Sequence, residues 1–443
     1  MNTIITPHKF TGTVKIPASK SHTIRQLLIA SLADGESEIK DPLDSLDTRS
    51  CIEACKAFGV QINEVYDNKK LVSLGIIGNN NFKESPYASA VNSSQIDVGN
   101  SGTTLYLALA VAALQSQPIE FTGDESIQKR SAAPLLDALA GLGVQVQSNS
   151  GCAPITIKGG WKGGRVSLSC PTSQYLSALL IAAPLAPAGT VTEIDVPLLN
   201  EKPYVEMTLS YLKTHNIPFE ASADYSHFRI HGGSFWKTLN CPVPADFSSA
   251  AFPAAAAAIS GGSAVLLGLD LNDTQGDKYF FEILKEMGCE VIINHTNGDN
   301  SSITVSRKGS LCGGTFDLNE TPDLLPAAAA VAAYANGDTS LVNVAHARIK
   351  ETDRIAIMTK ELAKLGVCCT ELPDGMIIHG KGTISPPQKT IIEGYGDHRI
   401  VMAFAAAALG AKYPVEITTA ESAAVTYPGF LELLKKNVDG SLL

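Results

Sequence analysis

The residues of this chain best suited to chemistry gather in a few short polar clusters. The densest is Arg348-Ile349-Lys350-Glu351-Thr352-Asp353-Arg354. Lys350 and Arg354 stand four apart, which on a helix puts both cations on one face, with Glu351 beside them. Two such cations can hold phosphate or carboxylate oxygens, the arginine in bidentate fashion, and the neighbouring carboxyl can deliver a proton. A second carboxylate, Asp323, follows Pro322 at an expected helix start; its pKa would be set by surrounding cations, and it can act as a base. Asp397-His398-Arg399 puts a carboxylate, an imidazole and a guanidinium at successive positions. Nearer the N-terminus, Lys20 and Arg25 lie about a turn and a half of helix apart, and Arg130 ends the run that begins at Gly123-Asp124. Each group alone has an ordinary explanation, a solvated side chain or a helix cap. Together they imply a site for a multiply anionic small molecule, with an acid and a base to hand.

Other chemistries find no support. There is no metal-ligand spacing, no Walker loop and no GxGxxG after a strand-like run. A formal net charge of −10 argues against nucleic acid or an anionic membrane as the main partner. The nine cysteines are odd in number and include no CxxC, as in a reducing cytoplasm. Met1 to Phe10 has no long apolar stretch, and the run Ala250 to Ile259 is too short to span a bilayer. A cytoplasmic location is therefore expected.

The elements that must position these residues repeat. Six times a polar cluster precedes an Ala-rich apolar run: Ala18 to Thr23, Gly99 to Thr104, Pro171 to Gln174, Ala245 to Ser249, Glu320 to Asp323 and Gly396 to Arg399. The copies recur roughly every 75 residues. Ser, Thr, Asp and Asn suit helix starts, and a helix start is an anion-binding end; six of them could face one cleft. Second helices are expected over Leu43–Phe58, Ala133–Leu142, Val205–Thr214, Lys278–Met287 and Ile355–Leu365. Four of these are followed by Gly59, Gly143, Gly288 or Gly366, the residue type that closes a helix in the left-handed conformation. Each copy then reads βαβαββ. At 443 residues two domains are the default. The proline-flanked Cys241-Pro242-Val243-Pro244 divides the copies three and three, giving 1–17 with 245–443 as one domain and 18–244 as the other. Hinges are expected near 17–19 and 241–245, and a loop insertion over Gly78–Ser94.

In their order, the clusters resemble those of the enolpyruvyl transferase family. The matching segments are Pro17-Ala18-Ser19-Lys20-Ser21 with Arg25, Gly99-Asn100-Ser101-Gly102-Thr103, Gly123-Asp124 with Arg130, Thr172-Ser173-Gln174, Lys202-Pro203-Tyr204, Asp246 with Ser248-Ser249, Pro322-Asp323, Arg348 through Arg354, and Asp397-His398-Arg399. Any one is weak, but the ordered set covers nearly the whole chain. The resemblance implies an α/β fold of two domains, each of three βαβαββ units, an inside-out α/β barrel with the active site in the interdomain cleft. It implies transfer of the enolpyruvyl group of phosphoenolpyruvate to the 5-hydroxyl of shikimate 3-phosphate, with release of phosphate. By carry-over, Lys20, Gly102, Arg130, Gln174, Arg354 and Arg399 would hold phosphoenolpyruvate. Lys20, Ser21, Arg25, Thr172, Ser173, Gln174, Tyr204, Asp323, His346 and Lys350 would hold shikimate 3-phosphate. Asp323, Glu351 and Lys20 would be catalytic. No cofactor or metal and a monomeric state are implied, as is inhibition by glyphosate at the phosphoenolpyruvate position.

Against the same family pattern, Tyr106 replaces an arginine and Leu107 a proline, Glu201 a phosphate-binding serine, His346 an asparagine and Val425 a lysine. The changes at 106, 107 and 425 imply reduced glyphosate sensitivity, whereas Gly102 leaves room for that inhibitor. Glu201 keeps a different cyclic-alcohol acceptor, or a silent binder of phosphorylated metabolites, as alternatives. The sister reaction on UDP-N-acetylglucosamine is disfavoured by Ser21 after Lys20 and by the lack of cysteine between Gln115 and Arg130.

Overall fold

The computed structural model describes residues 1–78, 93–294 and 301–435. Most of the expected insertion at Gly78–Ser94 therefore lies outside the described residues. The chain divides into two compact units, residues 1–19 with 244–443 and residues 20–243.

In each unit Ala-rich helices are buried and sheets flank them. The unit formed by 20–243 contains the helices Lys20–Leu32, Gly102–Ala112 and Gln174–Ala182. The other contains Phe247–Ser260, Leu325–Ala332 and His398–Leu409. In Phe247–Ser260 every residue before Ser260 is buried. A helix apolar all round belongs in an interior, and alanine lets neighbouring helices approach closely there with little side-chain entropy lost.

The sheets follow one scheme, a parallel pair extended by an antiparallel hairpin. In one, Gly164–Ser167 runs parallel to Val191–Asp195, which pairs antiparallel with His227–His231, which pairs with Phe219–Ala221. Gln95–Asp97, Ile119–Thr122, Cys152–Lys158 and Gln145–Asn149 repeat it. Two sheets take their first strand from a distant part of the chain. Asn240–Pro242 runs parallel to Glu36–Lys40, and Thr11–Lys15 runs parallel to Ser263–Leu267. Val14 therefore sits opposite Leu266, and both are buried. The strand Thr3–Ile5 closes a third sheet against Val415–Ile417.

The second helices run Leu46–Ala57, Ala133–Gly141, Lys202–Thr214, Tyr279–Glu286 and Arg354–Lys364. The first begins three residues later than expected because a capping box between Ser45 and Thr48 sets its start. Gly59, Gly143, Gly288 and Gly366 have φ of 85°, 96°, 98° and 80°, the left-handed closures anticipated. The polar clusters divide. Ser101, Asp246 and Asp397 cap their helices through side-chain oxygens, whereas Ser173 and Leu324 do not. Asp323 lies in a 3₁₀ turn, Pro322–Leu324, ahead of the helix. No single helix runs through 348–354. A 3₁₀ segment ends at Ile349, and Asp353 caps a new helix at Arg354 by accepting from Ala356 N. Lys350 and Arg354 thus do not share a helix face.

Candidate active site

In the unit formed by 20–243, Lys20 opens its helix and its Nζ lies 3.0 Å from Asp47 Oδ2. Asp47 stands in the first turn of the next helix, where a carboxylate is favourable. The anion that offsets Lys20 at a helix start thus comes from the chain itself, a residue missed in the sequence although its capping box was legible. Arg25 is 1% exposed. Its Nε donates to Thr208 Oγ1 (2.9 Å), its Nη2 to Ser177 Oγ and the Tyr204 carbonyl (both 3.2 Å), and its Nη1 to the Ser21 carbonyl (3.1 Å). Burial pushes its pKa down, and the nearby Tyr211, Tyr204 and Glu201 work against that.

Thr172, Ser173 and Gln174 meet at the start of the helix Gln174–Ala182, and Glu201 meets them there. Its Oε2 accepts from Thr172 Oγ1 (3.0 Å), Ser173 N (3.0 Å) and Ser173 Oγ (2.9 Å). Gln174 Nε2 donates to Thr172 Oγ1 (3.1 Å). Ser173 therefore uses its hydroxyl on Glu201 rather than as a helix cap.

Gly102 opens the helix beneath Arg130. A Cβ at Gly102 would lie 2.5 Å from Arg130 Nη1, so only glycine admits the guanidinium where it is. Arg130 Nη2 also donates to Ser126 Oγ at 3.3 Å. Tyr106 is buried and packs edge-on against Tyr175, with ring centroids 5.0 Å apart. Both hydroxyls donate to the Ser131 carbonyl, at 3.4 and 2.5 Å. The side chain at 106 is thus part of the packing that leads into Arg130.

In the other unit, Arg354 is completely buried and bridges three carboxylates. Its Nε donates to Asp397 Oδ2 (2.9 Å), its Nη1 to Asp323 Oδ1 (2.8 Å) and its Nη2 to Glu351 Oε2 (2.5 Å). Arg399 Nη2 donates to Asp323 Oδ2 at 2.9 Å. Burial opposes ionisation of Asp323, but Arg399, Lys350 and Arg354 together hold its carboxyl well below the usual carboxylate range. Asp397 is likewise held low against burial, chiefly by Arg354. It also accepts from Thr352 Oγ1 and Arg399 N, and so anchors the arginines.

Asp277, 1% exposed, was missed in the sequence, where only a Gln-Gly-Asp turn marks it. Ser248 Oγ donates to it. Burial, and next the Asp323 charge, push its carboxyl up to about 7. His346 is buried with Nε2 3.0 Å from the Asn319 carbonyl. Arg348 clamps Asp353 and Glu371 and donates to the carbonyls of Leu372 and Pro373. Val425 is buried at the end of a 3₁₀ segment.

Each unit thus collects part of the anticipated set, and both gather groups suited to phosphate or carboxylate ligands. The profile of the family described as EPSP synthase (3-phosphoshikimate 1-carboxyvinyltransferase) matches residues 4–434. The chain belongs to the EPSP synthase family. It is 45% identical to the 3-phosphoshikimate 1-carboxyvinyltransferase of Acetivibrio thermocellus, over 97% of this chain and 96% of that one. Against the enzyme of the same name from Ruminiclostridium cellulolyticum the identity is 43%, over 96% and 95%. A solved EPSP synthase from Acinetobacter baumannii superposes with a TM-score of 0.79 at 29% identity, covering 98% of this chain and 97% of that one. The α/β fold of repeated βαβαββ units is accordingly the fold of that family.

Proposed function

We propose that the chain transfers the enolpyruvyl group of phosphoenolpyruvate to the 5-hydroxyl of shikimate 3-phosphate, a step of the shikimate route to aromatic amino acids. Membership of the EPSP synthase family over nearly the whole chain supports this. The observation that carries the mechanism is the set of two arginines on Asp323 with Glu351 on the same guanidinium. Asp323 takes the hydroxyl proton as the acceptor oxygen attacks C2, and Glu351 protonates C3. The tetrahedral intermediate then loses phosphate and a proton from the new methyl group, which restores the double bond.

With both arginines on it, Asp323 is ionised but a weak base. Phosphoenolpyruvate competes for Arg354 Nη1 and Arg399 Nη2, while Asp397 keeps hold of Arg354 Nε. Losing those counter-charges raises the basicity of Asp323 when substrate is present. Lys20, Gly102, Arg130 and Gln174 complete the phosphoenolpyruvate set in this reading. Lys20, Ser21, Arg25, Thr172, Ser173, Gln174, Tyr204, His346 and Lys350, with Asp323, hold shikimate 3-phosphate.

Cations aimed at the phosphate and carboxylate stabilise charge through the transition state. The same reading makes the protein a cytoplasmic monomer. Its nine unpaired cysteines support the compartment. Among the described residues, no helix is long and apolar enough to cross a membrane.

The test is phosphate release from phosphoenolpyruvate with and without shikimate 3-phosphate, with Asp323→Asn as control. Acceptor-dependent release that disappears in the variant is the expected result. Binding of both ligands without release would leave a silent binder instead.

A further inference from the structure

Glu201 holds an unusual position for an acidic residue. It is 2% exposed, and its backbone has φ 58°, in the left-handed region. It stands as N-cap of the helix Lys202–Thr214, where residues ordinarily have extended backbone. Such strain in a non-glycine residue persists only where the surroundings enforce it, and it gathers at functional positions. Here one carboxylate oxygen collects the Thr172 hydroxyl, the Ser173 amide and the Ser173 hydroxyl, all within 3.0 Å. Gln174 Nε2 donates to Thr172 Oγ1, which turns the Thr172 proton toward Glu201. Three donors converging on one oxygen at a helix start form a receptor for an oxyanion. In this chain the receptor is filled by the chain's own carboxylate.

We infer that Glu201 is an internal occupant of the acceptor's phosphate subsite and thereby sets acceptor specificity. The inference rests on the reading above, in which Thr172 and Ser173 hold shikimate 3-phosphate. A phosphate group and a carboxylate cannot share those donors, because two like charges at hydrogen-bonding distance repel. A phosphorylated acceptor therefore enters by displacing Glu201 from Thr172 and Ser173. An acceptor without the phosphate meets no such competition. The preference for shikimate 3-phosphate over shikimate is accordingly narrower than a hydroxyl at position 201 would give.

The experiment compares steady-state phosphate release by the full chain, Glu201→Ser and Glu201→Gln, with shikimate 3-phosphate and with shikimate as acceptors. Glu201→Ser is expected to lower the KM for shikimate 3-phosphate about tenfold or more, the scale of one charged hydrogen bond to phosphate. The ratio of kcat/KM for the two acceptors should widen by the same factor, and the KM for phosphoenolpyruvate should move far less. Glu201→Gln keeps an occupant but removes the repulsion, so it should move the ratio in the same direction by a smaller factor. It also serves if the serine variant fails to fold. An active native chain whose acceptor ratio is unchanged in both variants overturns the inference and leaves the transferase reading standing. A native chain inert with shikimate 3-phosphate and a serine variant active with it would support the inference in its strongest form. Inertness of all three overturns the acceptor reading and the inference with it.

Discussion

Glu201 and Asp323 are both acidic residues with several donors gathered on them, and their partners differ in kind. Glu201 accepts from two hydroxyls and a backbone amide. Asp323 lies between the guanidinium groups of Arg354 and Arg399. Aimed neutral dipoles can turn to another oxyanion at little cost, since a hydroxyl that loses one acceptor can find the next. Full charges in a buried network can do so only where the incoming anion replaces the charge that leaves, because otherwise each one removed leaves its counter-charges uncompensated. The Thr172–Ser173 donors are therefore exchangeable, whereas the Arg354 network is part of what holds its unit together.

The hardest break of that contrast is Arg354→Ala. It leaves Asp323, Glu351 and Asp397 without their common cation. We expect a loss of about 3–5 kcal/mol in unfolding free energy, measured by urea denaturation, together with loss of turnover. A loss no larger than that of an exposed salt bridge would erase the distinction between the two regions.

Asp323→Asn comes next. Turnover should fall by about 10²–10⁴-fold for want of the base. Removing the charge also frees Arg354 Nη1 and Arg399 Nη2, so calorimetric titration should find phosphoenolpyruvate bound more tightly than by the native chain. Weaker binding would mean that the two arginines are not in competition between Asp323 and substrate.

A smaller effect should follow from Gly102→Ala, which places a methyl group 2.5 Å from Arg130 Nη1. The guanidinium must move, and the KM for phosphoenolpyruvate should rise by about tenfold. An unchanged KM would remove Arg130 from that subsite.

The mildest probe is pH. Asp277 keeps its proton up to about 7 in the folded chain, because of burial first and then the Asp323 charge. The unfolded chain releases that proton near about 4. The stabilisation is thus complete below the unfolded value and is lost as pH rises toward about 7. Asp323 and Asp397 shift downward and act in the opposite sense at lower pH, so the two windows separate. Melting temperatures of Asp277→Asn should fall less than those of the native chain between about pH 4 and about pH 7. Parallel curves would show that Asp277 does not carry this dependence.

Much of the architecture was legible because its signals are local. The Ala-rich runs, the polar clusters before them and the four closing glycines depend on residues within a few positions of one another. The places where local reading failed share a physical cause. At 348–354 the i,i+4 spacing would put two cations on one face of a helix, but Asp353 caps a new helix there. Ser173 looked like a cap, but Glu201, twenty-eight residues away, takes its hydroxyl. Asp397 looked like a member of a reactive trio, yet it anchors an arginine forty-three residues distant.

By itself the sequence determined the repeat, the helices and the family, because each is written in residue type and short spacing. Only the tertiary structure decided which charges neutralise which. It gave Asp47 to Lys20, three carboxylates to Arg354 and the Thr172–Ser173 donors to Glu201. It also paired the strand Asn240–Pro242 with the distant Glu36–Lys40. Apart from Glu351, three residues before Arg354, such partners are chosen by packing across long separations, where no periodicity along the chain records the choice.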